Sequence, residues 1–561
     1  MAKHINKTTL LLMFLVVTTF GFGLWGWMMD MSLGFSEALY RTVSIFFMSD
    51  TYHNLDKRHI TTSLDIARWC GFLSILLGAS KAVMLILSEQ ILLKKTRKCK
   101  NHLIIIGSDE FANVLALEAI RNNKKVTWLA ASAAQKKQHL KNLFIDDAKW
   151  NLKETELFGL EFAHSVTIAT GDDATDIAIA REIRSAYPDE NKLVIHVNIV
   201  TPWLAMRFDQ IQGVEGLHLI SNAQSAIRLV HRKYPPFLIA KNLNHKRIHT
   251  VIVGFGLYGE AVMVDTILSC LTSYLEAPCF TIIDPNAASI ENSLKIKYPD
   301  LQLTAKLNFI TKSVEGSNHS INEEEWLAIG KDNPVTNTYI CLPEETTSLS
   351  AGLALQTLAI RNSWVTGPIF IKLSTNQALP ACAIDVKHLT TAQMISWGDL
   401  NSLIKETGIL NDDRDGMAKT MHQAYCDIAG SYKEANVPWE QLNEDARESN
   451  RRVVVHIAAK LSSAGMDIEP WLKKWDRNPQ VTQLPKIDNI LDNKKLHLKL
   501  AILEHDRWMA DRRLSGWQYG KTKDITKRLH PDLVPFDQLS QESQSYDMQI
   551  TNTLIKILSR S

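Results

Sequence analysis

The pattern of apolar and polar positions takes three forms along the 561-residue chain. Residues 8–29, TTLLLMFLVVTTFGFGLWGWMM, hold no charge over 22 positions, enough for about 30 Å of helix. The run is too long for a signal-peptide core, and no small-residue cleavage site follows it, so it reads as a membrane span. A second span is expected over 69–93, WCGFLSILLGASKAVMLILSEQILL. From His102 onward short apolar strands alternate with amphipathic helices, the pattern of a parallel α/β sheet. Near Trp397 the strand signal fades and helical spacing takes over. The fold class expected is therefore an α-helical membrane N-terminus followed by tandem Rossmann-like α/β units and an all-α region. The boundaries expected are 1–98, 99–240, 241–396, 397–480 and 481–561.

Between the spans, Ser36–Met48 predicts a short amphipathic helix with Ser36 as its N-cap. It is too short to cross a bilayer and suits a re-entrant segment over 36–56. The second span is followed by KKTRKCK, five basic residues in seven, which marks its cytoplasmic end. With two spans the N-terminus, carrying Lys3 and Lys7, is cytoplasmic as well. Lys81 stands near the middle of the second span, where a charge needs water or a partner. Steps of three and four align Cys70, Ser74, Gly78, Lys81, Leu85 and Ser88. Ser74, Gly78 and Lys81, with Ser49 and Asp50 of the intervening loop, are the candidate pore-lining residues. Small-residue helix packing, with Lys81 snorkelling or paired to Asp65 or Glu89, explains the same stripe.

The first α/β unit opens with HLIIIGSDEFANVLALEAIRNN. Gly107 holds the first phosphate-loop glycine position, but Asp109 and Ala112 stand at the second and third. Ala130 and Ala131 replace the acid expected after the second strand. This unit is expected to be structural or dimerising. The second unit reads HTVIVGFGLYGEAVMVDTIL, with Gly254, Gly256 and Gly259 spaced G-x-G-x-x-G between strand and helix. The next strand, CFTIIDP, ends in Asp284, 25 residues past Gly259, suited to a ribose hydroxyl. A nucleotide diphosphate on the helix N-terminus is the expected ligand geometry. Glycines retained only for packing are the alternative.

Span, short helix, loop, span and then a dinucleotide fold form an arrangement that resembles two-span potassium channels with regulator-of-conductance (RCK) domains. The segment TIATGDDATDIAIA carries the RCK likeness most clearly. The resemblance implies a homotetramer, a pore gated from a cytoplasmic ring, and NAD(H) or another adenine nucleotide as cofactor. The family's T-V-G-Y-G filter is absent, and SIFFMSDTY stands in its place without a glycine, so potassium selectivity is not implied.

In the helical region NVPWEQLNEDARESNRRVVVHIAAKL (436–461) parallels LVPFDQLSQESQSYDMQITNTLIKIL (533–558). AKTMHQAYCDIAG (418–430) parallels AILEHDRWMADRR (501–513), matching His422 with His505 and Tyr425 with Trp508. Two copies of one module are expected, the first lacking the insert LSGWQYGKTKDITKRLHPD. The second copy, EHDRWMADRRLSGWQYG followed by KRLHPDLVPFDQL, resembles the RyR domain, the repeat first named in ryanodine receptors and found in bacterial proteins. The resemblance implies a small nucleotide ligand and a bacterial inner-membrane location. His505, Trp508 and Arg512 share a helix face, and Trp517, Tyr519, Arg528 and His530 follow, so a base stacked on a ring with phosphate on arginine is one reading. A small hydrophobic core with an arginine rim is the other.

Composition narrows these readings. A net charge of +2 gives no polyelectrolyte signal for nucleic acid, and the partners expected are membrane lipid, a small nucleotide and further copies of the chain. The seven cysteines form no C-x-x-C pair, which argues against structural zinc, and no metal is expected. No Ser/Tyr-x-x-x-Lys pair or catalytic histidine emerges, so the chain is not expected to be an enzyme. The leading expectation is a ligand-gated ion channel or channel-like protein. The alternatives are a membrane-anchored nucleotide sensor or effector in stress or antiphage signalling, and a membrane-tethered NAD(P)-dependent oxidoreductase.

Overall fold

A computed structural model describes residues 7–47, 60–129, 144–145, 159–189, 192–314, 321–362, 366–374, 392–406, 410, 415–429, 437–469, 472 and 493–560. It divides into two compact units, Met1–Lys98 and Cys99–Ser561.

In the first unit, α1 (Lys7–Trp25), α2 (Phe35–Phe46) and α3 (Thr62–Arg97) pack together. Two helical stretches, Thr9–Asp30 and Thr62–Met84, are long and apolar enough to cross a membrane. Leu11, Phe14, Val17, Leu76 and Met84 are exposed on this unit, as suits a lipid-facing surface. The inner faces are lined by small residues. A Cβ on Gly23 would fall 2.7 Å from Thr42, and one on Gly71 would fall 2.9 Å from Ile45. The buried hydroxyls of Thr19, Thr42 and Ser74 donate to carbonyls of their own helices, at Leu15, Ala38 and Gly71 (2.8, 2.7 and 2.7 Å), which meets the demand of a dry interior. The N-cap of α2 is Gly34, with no side-chain cap bond. Ser36 lies inside the first turn, so the expected serine cap is corrected: Gly34 already holds the extended cap conformation, and Glu37 of that turn pairs with Arg41 at 2.6 Å.

The second unit holds two six-stranded parallel sheets. The first contains β1 (Leu103–Ile106), β2 (Val126–Leu129), β3 (Phe144–Ile145), β4 (Ser165–Ile168), β5 (Val194–Asn198) and β6 (Leu217–Ile220). The second contains β7 (Arg247–Val253), β8 (Glu276–Ile283), β9 (Lys306–Ile310), β10 (Asn337–Ile340), β11 (Ile369–Lys372) and β12 (Met394–Trp397). In both, the spatial order is third, second, first, fourth, fifth, sixth, the doubly wound dinucleotide order with its switch point between first and fourth strands. The strands are apolar on both faces because helices cover both.

The two sheets exchange helices. After β6, α6 (Asn222–Lys233) and α7 (Pro236–Asn242) place Ile227, Val230, Phe237 and Ile239 in one core with Val262, Met263 and Ile267 of α8 (Leu257–Ser269). After β12, α12 (Leu400–Glu406) returns Leu403 and Ile404 to Phe111 and Leu115 of α4 (Glu110–Arg121) in the first sheet's core. The breaks expected at 240 and 397 mark changes of sequence period, whereas packing runs across both.

The C-terminal region contains α13 (Gly416–Ala429), α14 (Glu444–Val455), α15 (Ile457–Ser463), α16 (Lys494–Leu514), a ribbon of β13 (Gln518–Tyr519) and β14 (Leu529–His530), and α17 (Gln541–Arg560). The repeat seen in sequence recurs in contacts. His422 Nε2 donates to the Val437 carbonyl (2.7 Å), and His505 Nε2 donates to that of Val534 (2.8 Å). Each imidazole then meets the aromatic after the following proline edge-on, Trp439 or Phe536, at 6.0 Å.

An alternating chain of charges ties this region to the second sheet. Lys460 meets Glu504 (2.5 Å), Glu504 meets Arg507 (2.8 Å), and Arg507 meets Asp511 (3.5 Å). Asp511 pairs with Arg452, Arg452 with Glu448 (3.4 Å), and Glu448 with Arg228 of α6. Arg228 reaches Asp265 of α8 (3.6 Å), and Asp265 bonds His231 (2.6 Å), whose other nitrogen meets the Tyr339 hydroxyl on β10 (3.1 Å). Apart from Arg228, the members of this chain are buried. Burial alone would raise Glu504, but Arg507 and Lys460 hold it at about 2. Glu448 is likewise pulled far below its usual range by Arg228, Arg452 and Arg451 against the desolvation of its site.

Candidate functional site

The second sheet's switch point begins at the turn after β7. Gly254 has φ +83°, and a Cβ there would lie 3.0 Å from the Leu342 side chain. Gly259 sits with the place of its Cβ 2.6 Å from the Gly254 carbonyl, so it lets α8 pack against the loop. Gly256 is different. It is the N-cap of α8 with no side-chain cap bond, and a Cβ added there would meet nothing within 4 Å. Gly256 thus brings no side chain of its own to the first N–H groups of α8, and a helix end left without a side-chain cap is suited to accept an anion. Asp284 follows β8. Its Oδ2 accepts from Phe255 N (2.9 Å) and its Oδ1 from Asn286 N (2.8 Å). It braces the glycine loop, and each oxygen keeps a second lone pair for a hydroxyl.

Sequence reading missed the wall beside this loop. Tyr258, in the first turn of α8, lies under Lys372 at the end of β11, with Nζ 4.7 Å from the ring centroid, and against Trp397 at 5.7 Å. Burial pushes the Tyr258 phenol up to about 12, with the charges of Glu110, Cys341 and Asp109 adding to the effect. No motif ties Lys372 to the loop; only the sheet order does.

The first sheet's switch point is filled from within. Gly107 has φ +124°, and a Cβ there would collide with the Ala169 carbonyl. Asp109 caps α4 by accepting from Ala112 N at 2.6 Å, and Asn198 Nδ2 donates to its other oxygen at 3.3 Å. The carboxylate thus stands where a phosphate would stand. Asp176 lies close by, accepting from Thr170 N (2.9 Å) and Thr170 Oγ1 (2.5 Å). Burial raises Asp109 and Asp176 each to about 6, and the negative charge of Asp109 adds to the rise of Asp176. Ala130 and Ala131 lie outside the described residues.

The aromatic and basic residues of the last module come together, largely by packing on one another. His505 stacks on Trp508 (5.6 Å, 22°), Trp508 meets His530 edge-on (5.0 Å), and His530 meets Trp517 (6.1 Å). Arg512 and Arg528 lie over the Trp517 ring at 5.9 and 5.7 Å. Both guanidinium groups already have carboxylate partners. Arg512 donates to Asp445 (3.1 Å), and Arg528 donates to Asp209, in the connection between β5 and β6 (2.8 Å), and to the Ser515 carbonyl (2.7 Å). His505 and Trp517 are buried, and Tyr519 stands apart, 57% exposed. Burial would lower His505, but the bonds to Asp547 and the Val534 carbonyl raise it. The acidic partners Asp209 and Asp445 are remote in sequence, so neither was foreseen.

Of the membrane-unit candidates, Ser74 is 4% exposed and faces into the helix bundle. Gly78 is half-buried, and a Cβ there would find open space. Lys81 is half-buried and donates to Thr9 Oγ1 at 2.8 Å, a partner sequence spacing did not suggest. Ser49 and Asp50 lie outside the described residues.

Residues 478–561 match the family model of the RyR domain. Among solved structures, GsuK bound to ADP shares 11% identity at a TM-score of 0.37, covering 72% of this chain and 96% of that one. The GsuK channel bound to NAD shares 10% identity at a TM-score of 0.36, covering 72% of this chain and 83% of that one. Likeness at this level assigns no role to any residue here.

Proposed function

We propose that the chain is a two-span, channel-like membrane protein whose cytoplasmic unit senses an adenine nucleotide, NAD(H) or ADP, at the glycine loop of the second sheet. The observation that carries this reading is the uncapped N-terminus of α8 beside the open space at Gly256. Gly254, Gly259 and Asp284 shape and brace that loop, and the first sheet serves as scaffold. The RyR module is a second sensor, with Trp508, His530 and Tyr519 offering ring surface and Arg512 and Arg528 held in ion pairs. Four chains in an inner membrane, both termini cytoplasmic, would enclose one pore. A nucleotide that binds one arrangement of the cytoplasmic units more tightly would shift the pore by linkage through residues 94–100.

The test is ion flux in liposomes carrying the full chain, with and without ADP or NAD. Nucleotide is expected to change the flux, and Gly256→Asp to abolish that response. A response that survives Gly256→Asp but disappears in Trp508→Ala moves the sensor to the RyR module. Strict potassium selectivity would refute the reading of SIFFMSDTY as a non-selective loop.

A second reading, a membrane-anchored sensor or effector without selective conduction, is favoured by one observation. Ser74 faces inward and Lys81 is bonded to Thr9, which breaks the polar stripe expected along α3. Nucleotide-dependent leakage of a large uncharged dye would decide for it.

A further inference from the structure

We infer that Lys372 is a phosphate-binding residue of the second sheet's nucleotide site, and that the site therefore selects for a nucleoside diphosphate over a monophosphate. The inference rests on the nucleotide reading above and goes beyond it in naming a residue and a discriminated ligand class.

Lys372 ends β11, two strands from β7, on the edge of the sheet where ligands of doubly wound folds lie. Its side chain does not trail into solvent. The ammonium rests 4.7 Å above Tyr258 and meets Ser374 Oγ at 3.3 Å. Its stem passes Gly398, where a Cβ would sit 3.4 Å from Lys372 Cγ, and the φ of +89° there already favours glycine. Tyr258 is two residues past Gly256, so the ring that holds the ammonium is part of the helix turn that begins without a side-chain cap. Among the described residues no carboxylate forms an ion pair with Lys372. The ring and the Ser374 hydroxyl do not neutralise the ammonium, and no anion among the described residues does so at ion-pair distance.

The electrostatic setting makes that cation matter. The carboxylates of Glu110 and Asp109 act on Tyr258 from the first sheet, so a phosphate at the α8 N-terminus is placed in a field that opposes it. The helix dipole contributes only a partial positive charge. A whole positive charge fixed by cation–π contact at the same turn offsets the acidic neighbours. A diphosphate fits this arrangement: the α-phosphate takes the N–H groups after Gly256, and the β-phosphate extends toward Lys372.

The experiment measures binding of ADP, AMP and adenosine to the full-length protein in nanodiscs by calorimetry, for the natural chain, Lys372→Gln and Gly256→Asp. The natural chain is expected to bind ADP more tightly than AMP. Lys372→Gln should weaken ADP about 10- to 100-fold and AMP by less than about threefold, bringing the two affinities together. Gly256→Asp should remove binding of both. Unchanged ADP affinity in Lys372→Gln overturns the inference while leaving the nucleotide reading intact. Equal weakening of ADP, AMP and adenosine also overturns it, because Lys372 would then only support the loop. No nucleotide binding by the natural chain would refute both.

Discussion

In the first sheet the loop after β1 leads through Asp109, whose carboxylate caps α4. In the second, the loop after β7 leads through Gly256, and α8 begins without a side-chain cap. The strand order is the same in both, so the architecture does not decide which sheet can take an anion. One side chain does. Asp109 supplies the first helix with an internal anion, satisfying an N–H and occupying the ground a phosphate would need. Gly256 leaves the equivalent ground vacant. On the proposed reading, a duplicated fold divides its labour by filling one site with its own carboxylate.

The largest effect should come from copying the first loop into the second. Gly256→Asp is expected to weaken ADP or NAD binding by about 100-fold or more, since like charges at one site cost several kcal/mol; calorimetry reads this directly. Next in size is the contrast within the second loop. Gly259→Ala sets a methyl 2.6 Å from the Gly254 carbonyl and should destabilise the unit Cys99–Ser561 by about 1–3 kcal/mol in urea unfolding. Gly256→Ala meets open space, so stability should stay within about 0.5 kcal/mol, while nucleotide affinity falls. If both alanines cost equal stability, the two glycines do not have separate roles.

A smaller change should follow Asp109→Asn, which preserves the cap oxygen and removes the charge. The folded-state value of Asp109, about 6, lies above the ordinary 3.8. Between those values the folded form holds more protons than the unfolded, so stability falls as pH rises from about 4 to about 6. The asparagine variant lacks that loss. Its melting temperature should exceed that of the natural chain by about 2–4 °C at pH 7.5, and the gap should close near pH 4. The smallest effect is expected at Tyr519→Ala, whose side chain is 57% exposed. Its stability should stay within about 0.5 kcal/mol, and a large loss would show that the ribbon depends on this ring.

Much of the scaffold was legible from spacing. The two apolar runs and the alternation after His102 follow from burial patterns that each element must satisfy by itself. The VP-aromatic repeat was legible too, and its imidazole-to-carbonyl bonds recur at Val437 and Val534. The glycine spacing pointed to Gly254, Gly256 and Gly259, but it did not say that Gly256 alone faces open space. What spacing could not give is pairing across sequence distance. Glu504, Arg507 and Asp511 sit within the stretch EHDRWMADRR, where the arginines read as a rim, yet all three are buried with Lys460 and Arg452 as partners. Arg512 and Arg528 read as free cations, because nothing local announces Asp445 or Asp209 as partners. Lys372 reaches the Tyr258 ring only because β11 lies two places from β7 in the sheet.

The buried run of alternating charges bears on what counts as a separable piece of this protein. By family match the last module begins at residue 478. Cutting the chain there would take Arg452 from Asp511 and Lys460 from Glu504, leaving Arg507 as the one cation of this run beside two carboxylates. Removing the partner of a charge that stays buried costs about 3–5 kcal/mol, a large share of the about 5–15 kcal/mol that holds a domain folded. A fragment that is self-contained as a stretch of text is therefore not self-contained as a folding body. Transplanting it onto another protein would require carrying α14 and α15 along as counter-charges.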